Sequence, residues 1–263
     1  MAEPNDTPTA DVLLAALRNS RARLVEVATP LTAEQVREQS YDTEWSIAQV
    51  LSHMGTGAIF FRLILEAGLA GQPAPGIDVI QPVWDEWNAK SPDDQARDGI
   101  AADGELMAAF EALDQEQRDE WHLDFFGTDR DFAGILQMRL GEHSLHTWDV
   151  VVALDPKAHL LPDAVDVLID ALEPLVARAG KPLDSQLVVG VETEEPPRNF
   201  VLTIDADGAT LGPLDARFEA DSLLALPSEA FIRLIYGRLD PDHTPPGTED
   251  PILETLRTVF PGF

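Results

Sequence analysis

Helical spacing of apolar residues through the first 155 residues is the feature that most constrains the fold of this chain. Three long amphipathic segments stand out: residues 11–28, a segment from near Asp42 or Thr43 to about residue 69, and residues 131–154. Shorter segments at residues 84–88 and 105–113 are also helical in pattern, and no segment here favours a strand. We therefore predict a four-helix bundle with extra short helices.

The pattern changes after residue 155. Residues 162–179 continue the helical spacing, but "SQLVVGVE" and "FVLTI" are rich in β-branched residues, "DADGATL" is typical of a turn leading into another strand, and "ARFEA" is a possible fourth strand. The sequence thus predicts an α+β protein of two domains: a helical bundle at residues 1–157 and a small α+β domain at residues 158–263.

Composition narrows the classes of partner. The net charge is −29, which disfavours nucleic acid and anionic membranes. The apolar runs are short and interrupted, and the N-terminus lacks the pattern of a signal peptide, so we expect a cytoplasmic protein with no membrane partner. Since the chain contains no cysteine, any thiol chemistry requires a thiol supplied from outside.

The segment "MRLGEHSLHTWDVVVAL" places polar residues inside an apolar helix. At 100° per residue, Glu142, His146 and Asp149 fall within about 60° of the direction of the apolar stripe, whereas His143 lies toward its edge. The same projection of the second long helix turns His53 inward. Trp45, Trp148 and Phe60 are expected in the core.

A buried carboxylate needs a partner, and Glu142 and His146 lie just over one helical turn apart. Together with His53 from a facing helix they form a possible metal site, and two imidazoles with one carboxylate leave a coordination position open, as in catalytic zinc sites. The same set also suits non-haem iron. Asp149 would orient His146 or hold a substrate. The alternative is ordinary: hydrogen-bonded core histidines, with Asp149 as a solvated carboxylate.

The motifs "WSIAQVLSHMGTG" and "GEHSLHTWD" resemble the mycothiol-dependent maleylpyruvate isomerase family, part of the DinB-like superfamily. The resemblance implies a DinB-like bundle followed by a sterol carrier protein-like α+β domain. It implies a divalent metal, usually zinc with nickel, iron or manganese as alternatives, held by His53, Glu142 and His146. It also implies functional roles for Asp149 and, through "FIRLIYGRLD", for Arg238, with Arg233 as the other local candidate.

The function implied is that of an isomerase or S-transferase that uses mycothiol as co-substrate and acts on a small electrophile. The expected partners are that small molecule and a low-molecular-weight thiol, with the chain as a monomer or homodimer. Two alternatives stay open: a metal-dependent hydrolase of the DinB-like superfamily, and a non-catalytic module that holds a metal or ligand.

Overall fold

A computed structural model describes residues 8–125, 127–214 and 219–262. The chain forms two compact units that divide between Ala164 and Val165. The boundary expected from the sequence lay slightly earlier, between residues 157 and 158. Each unit has its own buried apolar residues, as a helical domain followed by an α+β domain requires.

The N-terminal unit is helical. Its helices are α1 (Ala10–Ala28), α2 (Ile47–Leu69), α3 (Ile77–Asn88), α4 (Pro92–Ala112), α5 (Gln115–Glu120) and α6 (Phe132–Leu154). The four long helices pack as a closed bundle, in which α1 contacts α6 and α4, and α2 contacts α4 and α6. The predicted four-helix bundle is therefore confirmed.

The start of α2 is set by a capping box. The backbone N–H of Gln49 donates to Ser46 Oγ at 3.3 Å, and the backbone N–H of Ser46 donates to Gln49 Oε1 at 2.9 Å. This reciprocal pair satisfies two of the donors left over at a helix start. The helix consequently begins at Ile47, a few residues after the predicted start near Asp42 or Thr43.

A small hairpin interrupts the helical unit. Strands β1 (His122–Phe125) and β2 (Thr128–Asp131) pair antiparallel immediately before α6. The expectation that this region contains no strand is wrong here. Both strands have four residues, and three of the four in β2 are charged, so no run of β-branched residues marked them.

Helix α2 is the most apolar of the long helices. Among the described residues it alone is long and apolar enough to cross a membrane by length and composition, with a mean hydropathy of 1.3 over a window that is 61% buried. The expectation that every apolar run is too short is wrong for this helix. Its composition fits a core helix as well, because Ile47, Val50 and Leu51 are fully buried in the bundle.

The C-terminal unit is an α+β fold, as predicted. Its strands are β3 (Leu187–Glu194), β4 (Arg198–Asp205), β5 (Gly208–Pro213) and β6 (Ser222–Pro227), in the order β5-β4-β3-β6. Neighbouring strands are antiparallel except β3 and β6, which run parallel. Of the predicted strand "ARFEA", residues 216–218 lie outside the described residues, and residues 219–220 are not in a strand.

The helices of this part of the chain are α7 (Pro162–Leu168), which spans the boundary between the units, α8 (Glu173–Ala179), α9 (Ser228–Ile235) and α10 (Ile252–Val259). The single helix predicted for residues 162–179 is broken by a 3-10 turn at Ile169–Ala171. Pro174 lies at the start of α8, where its missing N–H is tolerated. The same proline could not continue the preceding helix, because it has no N–H to donate.

Candidate metal centre

Three potential ligands converge between α2 and α6. His53 Nε2 lies 3.9 Å from Glu142 Oε2, and His146 Nε2 lies 3.7 Å from the same oxygen. One ligand atom from each of the three residues lies within 4.8 Å of the others. Donors around one zinc ion lie about 3 to 3.5 Å apart, so a small inward movement of the side chains would let this set hold a metal.

The three side chains remain accessible on one side. The exposed fractions are 40% for His53, 44% for Glu142 and 13% for His146. Glu142 therefore lies at an opening between the helices, whereas the helical projection predicted that it points into the core. A metal held here would keep room for a further ligand, which is the property that distinguishes catalytic from structural sites.

The charge states of the ligands suit a cation. Burial alone would raise the pKa of Glu142, but the imidazoles of His146 and His53, 3.7 and 3.9 Å away, hold that pKa well below its usual range. Burial lowers the pKa of His53, and the positive charges of His146 and Arg139 lower it further, against the effect of Glu142. An ionised carboxylate beside a neutral imidazole is the form in which these residues bind metal.

Asp149 fixes one of the ligands. Its Oδ2 lies 2.9 Å from His146 Nδ1, and its side chain is fully buried. An ionised Asp149 places the ring proton on Nδ1, so the lone pair of Nε2 faces Glu142. The alternative of a solvated surface carboxylate is wrong for Asp149, and its geometry is that of a residue that orients a metal-ligating histidine.

Trp45 forms a wall of the candidate centre. Its ring centroid lies 5.0 Å from that of His53 and 6.4 Å from that of His146. It was expected in the core with Trp148 and Phe60, but only Trp148 is fully buried, while Trp45 and Phe60 are half-buried. Trp45 is thus a site residue that sequence reasoning missed; its position just before the helix of His53 was the available signal.

His143 is not at an edge. It is completely buried, with Nδ1 at 2.8 Å from Ser20 Oγ and Nε2 at 3.3 Å from Asp103 Oδ2. The projection failed because it assumed one apolar stripe, whereas α6 is covered by α1 on one side and meets α2 on another. Glu142 and His143 therefore face different neighbours and belong to different polar groups.

A buried ionic cluster surrounds His143. Asp103 on α4 accepts from Arg139 Nη2 at 2.8 Å and lies 3.4 Å from Arg21 Nε. Burial would raise the pKa of Asp103, but His143 and Arg139 hold it well below its usual range. Sequence reasoning missed this cluster; the signal was Arg139, a charge one turn before His143 in an otherwise apolar helix, since a buried cation requires a carboxylate.

The two arginine candidates lie in the C-terminal unit, at the end of α9. Arg233 is buried, pairs with Glu229 through Nε and Nη2, and donates from Nη1 to the carbonyls of Arg238 and His243. Arg238 is half-buried and donates from Nη1 to the carbonyl of Tyr236 at 2.8 Å. Arg233 thus serves to hold the segment after α9, while a substrate role for Arg238 stays a prediction.

Comparison with known proteins agrees with this architecture. Residues 3–151 match the family model described as the mycothiol maleylpyruvate isomerase N-terminal domain. A crystal structure of the mycothiol-dependent maleylpyruvate isomerase is similar, with a TM-score of 0.68 and 13% identity over 93% of this chain and 95% of that chain. A histidine-to-alanine mutant of that enzyme gives the same TM-score at 12% identity over the same shares. At these identities the likeness shows the fold.

A third solved structure is more distant. YfiT from Bacillus subtilis, described as a probable metal-dependent hydrolase with an unusual four-helix bundle topology, has a TM-score of 0.42 and 14% identity over 59% of this chain and 90% of that one. No curated protein matches the sequence.

Proposed function

Because the chain belongs to the mycothiol maleylpyruvate isomerase N-terminal domain family, we propose that it is a metal-dependent enzyme that uses mycothiol to attack a small electrophile. The reaction is either isomerisation of a maleylpyruvate-like compound or transfer of the thiol to the electrophile. The proposal includes a cytoplasmic location, where low-molecular-weight thiols stay reduced.

One observation carries the proposal: His53, Glu142 and His146 converge at an accessible opening, with His146 fixed by Asp149. These three residues would hold zinc or another divalent metal. A bound metal with an open position would lower the pKa of a thiol, so that the nucleophilic thiolate is present near neutral pH. The chain has no cysteine of its own, so the thiol is the co-substrate.

The chemistry balances without an oxidant or reductant. The thiolate sulfur forms a bond to one carbon of a conjugated double bond, and the π electrons move onto the conjugated carbonyl oxygen. Rotation about the resulting single bond and expulsion of the thiolate give the trans isomer, whereas protonation of the carbon next to the carbonyl gives the stable thioether. Asp149 is a positioning residue here, because its carboxylate is occupied by His146. Arg238 is the proposed partner for a substrate carboxylate.

The test is a rate measurement with the zinc-loaded full chain, mycothiol, and either maleylpyruvate or 1-chloro-2,4-dinitrobenzene, a general electrophile on which the thiolate forms a C–S bond and displaces chloride. We expect thiol-dependent loss of the electrophile that His53→Ala abolishes. His122→Ala is the matched control, because His122 is an exposed histidine on the β1–β2 hairpin. Equal rates for wild type and His53→Ala would refute the proposal.

Hydrolysis is the second candidate. The exposed fractions of His53 and Glu142 leave room for water at the centre, and an activated water is the nucleophile of metal-dependent hydrolases. Turnover of an ester or amide that needs the metal but is unchanged by omitting mycothiol would favour it. Full metal content with neither activity would favour a non-catalytic metal-holding module.

A further inference from the structure

A cleft opens between α1 and the end of α6, whereas the candidate metal centre lies between α2 and α6. Its volume is about 820 Å³, which is typical of clefts that hold small-molecule ligands. All of its lining residues belong to the N-terminal unit, and none of them is a candidate metal ligand. A molecule held here would therefore not occupy the metal centre. The apolar part of the wall consists of Val27, Val151, Leu154, Leu161 and Pro162.

Arg23 is an unpaired arginine in the wall of this cleft. It is half-buried, and within the described part of the chain it makes no hydrogen bond or ion pair. An arginine without a carboxylate is unexpected in a sequence with 47 Asp and Glu against 18 Lys and Arg. By contrast, Arg18 on the same helix pairs with Glu111 at 2.7 Å. The Arg23 guanidinium is therefore available to a carboxylate from outside the chain.

A much smaller pocket adjoins the cleft, because Arg23 and Leu161 line both. Its volume is about 10 Å³, which is room for about one oxygen atom of a water or of a ligand. Ser144 on α6 lines this pocket and is only 5% exposed. Within the described residues its Oγ is buried without a hydrogen-bond partner. A buried hydroxyl left unsatisfied is costly, so an acceptor from outside the chain is expected beside Arg23.

The other charged residues of the cleft are acidic. Glu26, Asp155 and Asp163 line it, and Asp163 accepts a hydrogen bond from Asn19 Nδ2 at 2.7 Å. Glu26 makes no hydrogen bond or ion pair with the described part of the chain. Helix α6 ends at Leu154 without a basic residue in its last turn, so the negative end of its dipole adds to these carboxylates. They would repel a simple anion and attract an ammonium group.

We propose that the cleft between α1 and α6 binds a small zwitterion with an apolar body, such as a dipeptide of apolar residues. Its carboxylate accepts hydrogen bonds from Arg23 and Ser144, and its ammonium group lies beside Glu26 and the end of α6. Its apolar side chains pack against Val151 and Leu154. A cleft of this volume suits a molecule larger than a single amino acid. This second ligand site is independent of the metal and of the reaction proposed there.

The test titrates leucyl-leucine into the zinc-loaded full chain and measures the heat of binding. Arg23→Gln removes the charge but keeps a polar side chain on α1. Losing a charged hydrogen bond weakens binding roughly 10- to 100-fold, so we expect this loss for leucyl-leucine. Arg18→Gln is the matched control on the same helix, because Arg18 is 56% exposed and pairs with Glu111. It should leave the affinity for leucyl-leucine unchanged.

Changes to the ligand test its two charged ends. Leucyl-leucine amide lacks the carboxylate and N-acetyl-leucyl-leucine lacks the ammonium group, so each should bind wild type roughly 10-fold more weakly or worse. Arg23→Gln should not weaken binding of the amide further, because the group that Arg23 contacts is already absent. Ser144→Ala should weaken binding of leucyl-leucine without lowering the free energy of unfolding, since the hydroxyl it removes has no partner within the described residues.

The inference is overturned by any of three results: no binding of leucyl-leucine by wild type, equal affinity in wild type and Arg23→Gln, or an equal loss in Arg18→Gln. His53→Ala supplies a further check, because it alters the metal centre and should leave the affinity for leucyl-leucine unchanged. Loss of dipeptide binding in that variant would assign the dipeptide to the metal centre and also overturn the inference. Thiol-dependent turnover tests the proposed function separately.

Discussion

Two groups of histidines and carboxylates include residues of α6, and they differ in what surrounds them. His53, Glu142 and His146 face an opening, and Glu142 is 44% exposed. Asp103, Arg139 and His143 are between 0% and 4% exposed and pair with one another. The same residue types can thus bind a ligand where solvent reaches them. Where solvent does not reach them, they connect neighbouring helices.

The largest expected effect is on the buried cluster. Asp103→Asn removes the charge that Arg139 and His143 share, which should lower the free energy of unfolding by about 3 kcal/mol. Denaturant unfolding measures it. Asp98→Asn is the control on the same helix, because Asp98 pairs with Lys90 near the surface and should cost at most about 1 kcal/mol. Similar costs for the two variants would mean that the cluster is not the structural centre we describe.

Substitutions in the group formed by His53, Glu142 and His146 should have the opposite effect, a loss of bound metal without a loss of stability. Glu142→Ala should leave the metal-free protein about as stable as wild type but abolish bound metal. Zinc at about 100 times its dissociation constant should stabilise wild type by about 2.7 kcal/mol and leave this variant unchanged. Elemental analysis and thermal unfolding with zinc measure both effects. Glu66→Ala, an exposed carboxylate on α2, is the control, and unchanged metal content in Glu142→Ala would refute the ligand assignment.

Asp149 combines the two kinds of environment, since its side chain is fully buried yet lies 2.9 Å from His146, which faces the opening. Asp149→Asn keeps the shape but weakens the hold on His146, so zinc affinity should fall about 10- to 100-fold. Competition with a chelating indicator measures this affinity. Asp155→Asn, at the exposed end of α6, should not alter it; equal affinities in wild type and Asp149→Asn would remove the orienting role.

The architecture was accessible from the sequence because it depends on periodicity. Apolar spacing predicted the bundle, and β-branched runs predicted the α+β unit. The β1–β2 hairpin was not predicted, because its strands are short and largely polar. The break between α7 and α8 was not predicted, because the apolar spacing continues across it. Pro174 was the residue in the sequence that indicated this break.

The candidate site was predictable only in part. The spacing of Glu142 and His146 predicted that these two side chains lie together, because residues one turn apart share a helix side. His143 was misplaced, since a single helix projected alone does not show that its other sides are also covered. Thr147, one partner of His143, lies on the same helix, but the partners Ser20 and Asp103 lie far away in the chain, and only the packing of the bundle brings them near.

The smallest expected effect is on the pH dependence of stability, and it concerns the buried group of Asp103, Arg139 and His143. Although burial alone would raise it, the pKa of Asp103 is held below its usual range by His143 and Arg139. A carboxyl whose pKa is lower in the folded state stabilises the fold above the unfolded pKa of about 3.9 and loses that contribution as pH falls below it. The stability difference between wild type and Asp103→Asn should therefore narrow below about pH 4, by at most about 1.4 kcal/mol per pH unit. Unfolding curves of both proteins without metal measure this stability difference, because bound metal then makes no contribution. A stability difference that stays constant from about pH 5 to 3 would show that Asp103 is not held ionised by its neighbours.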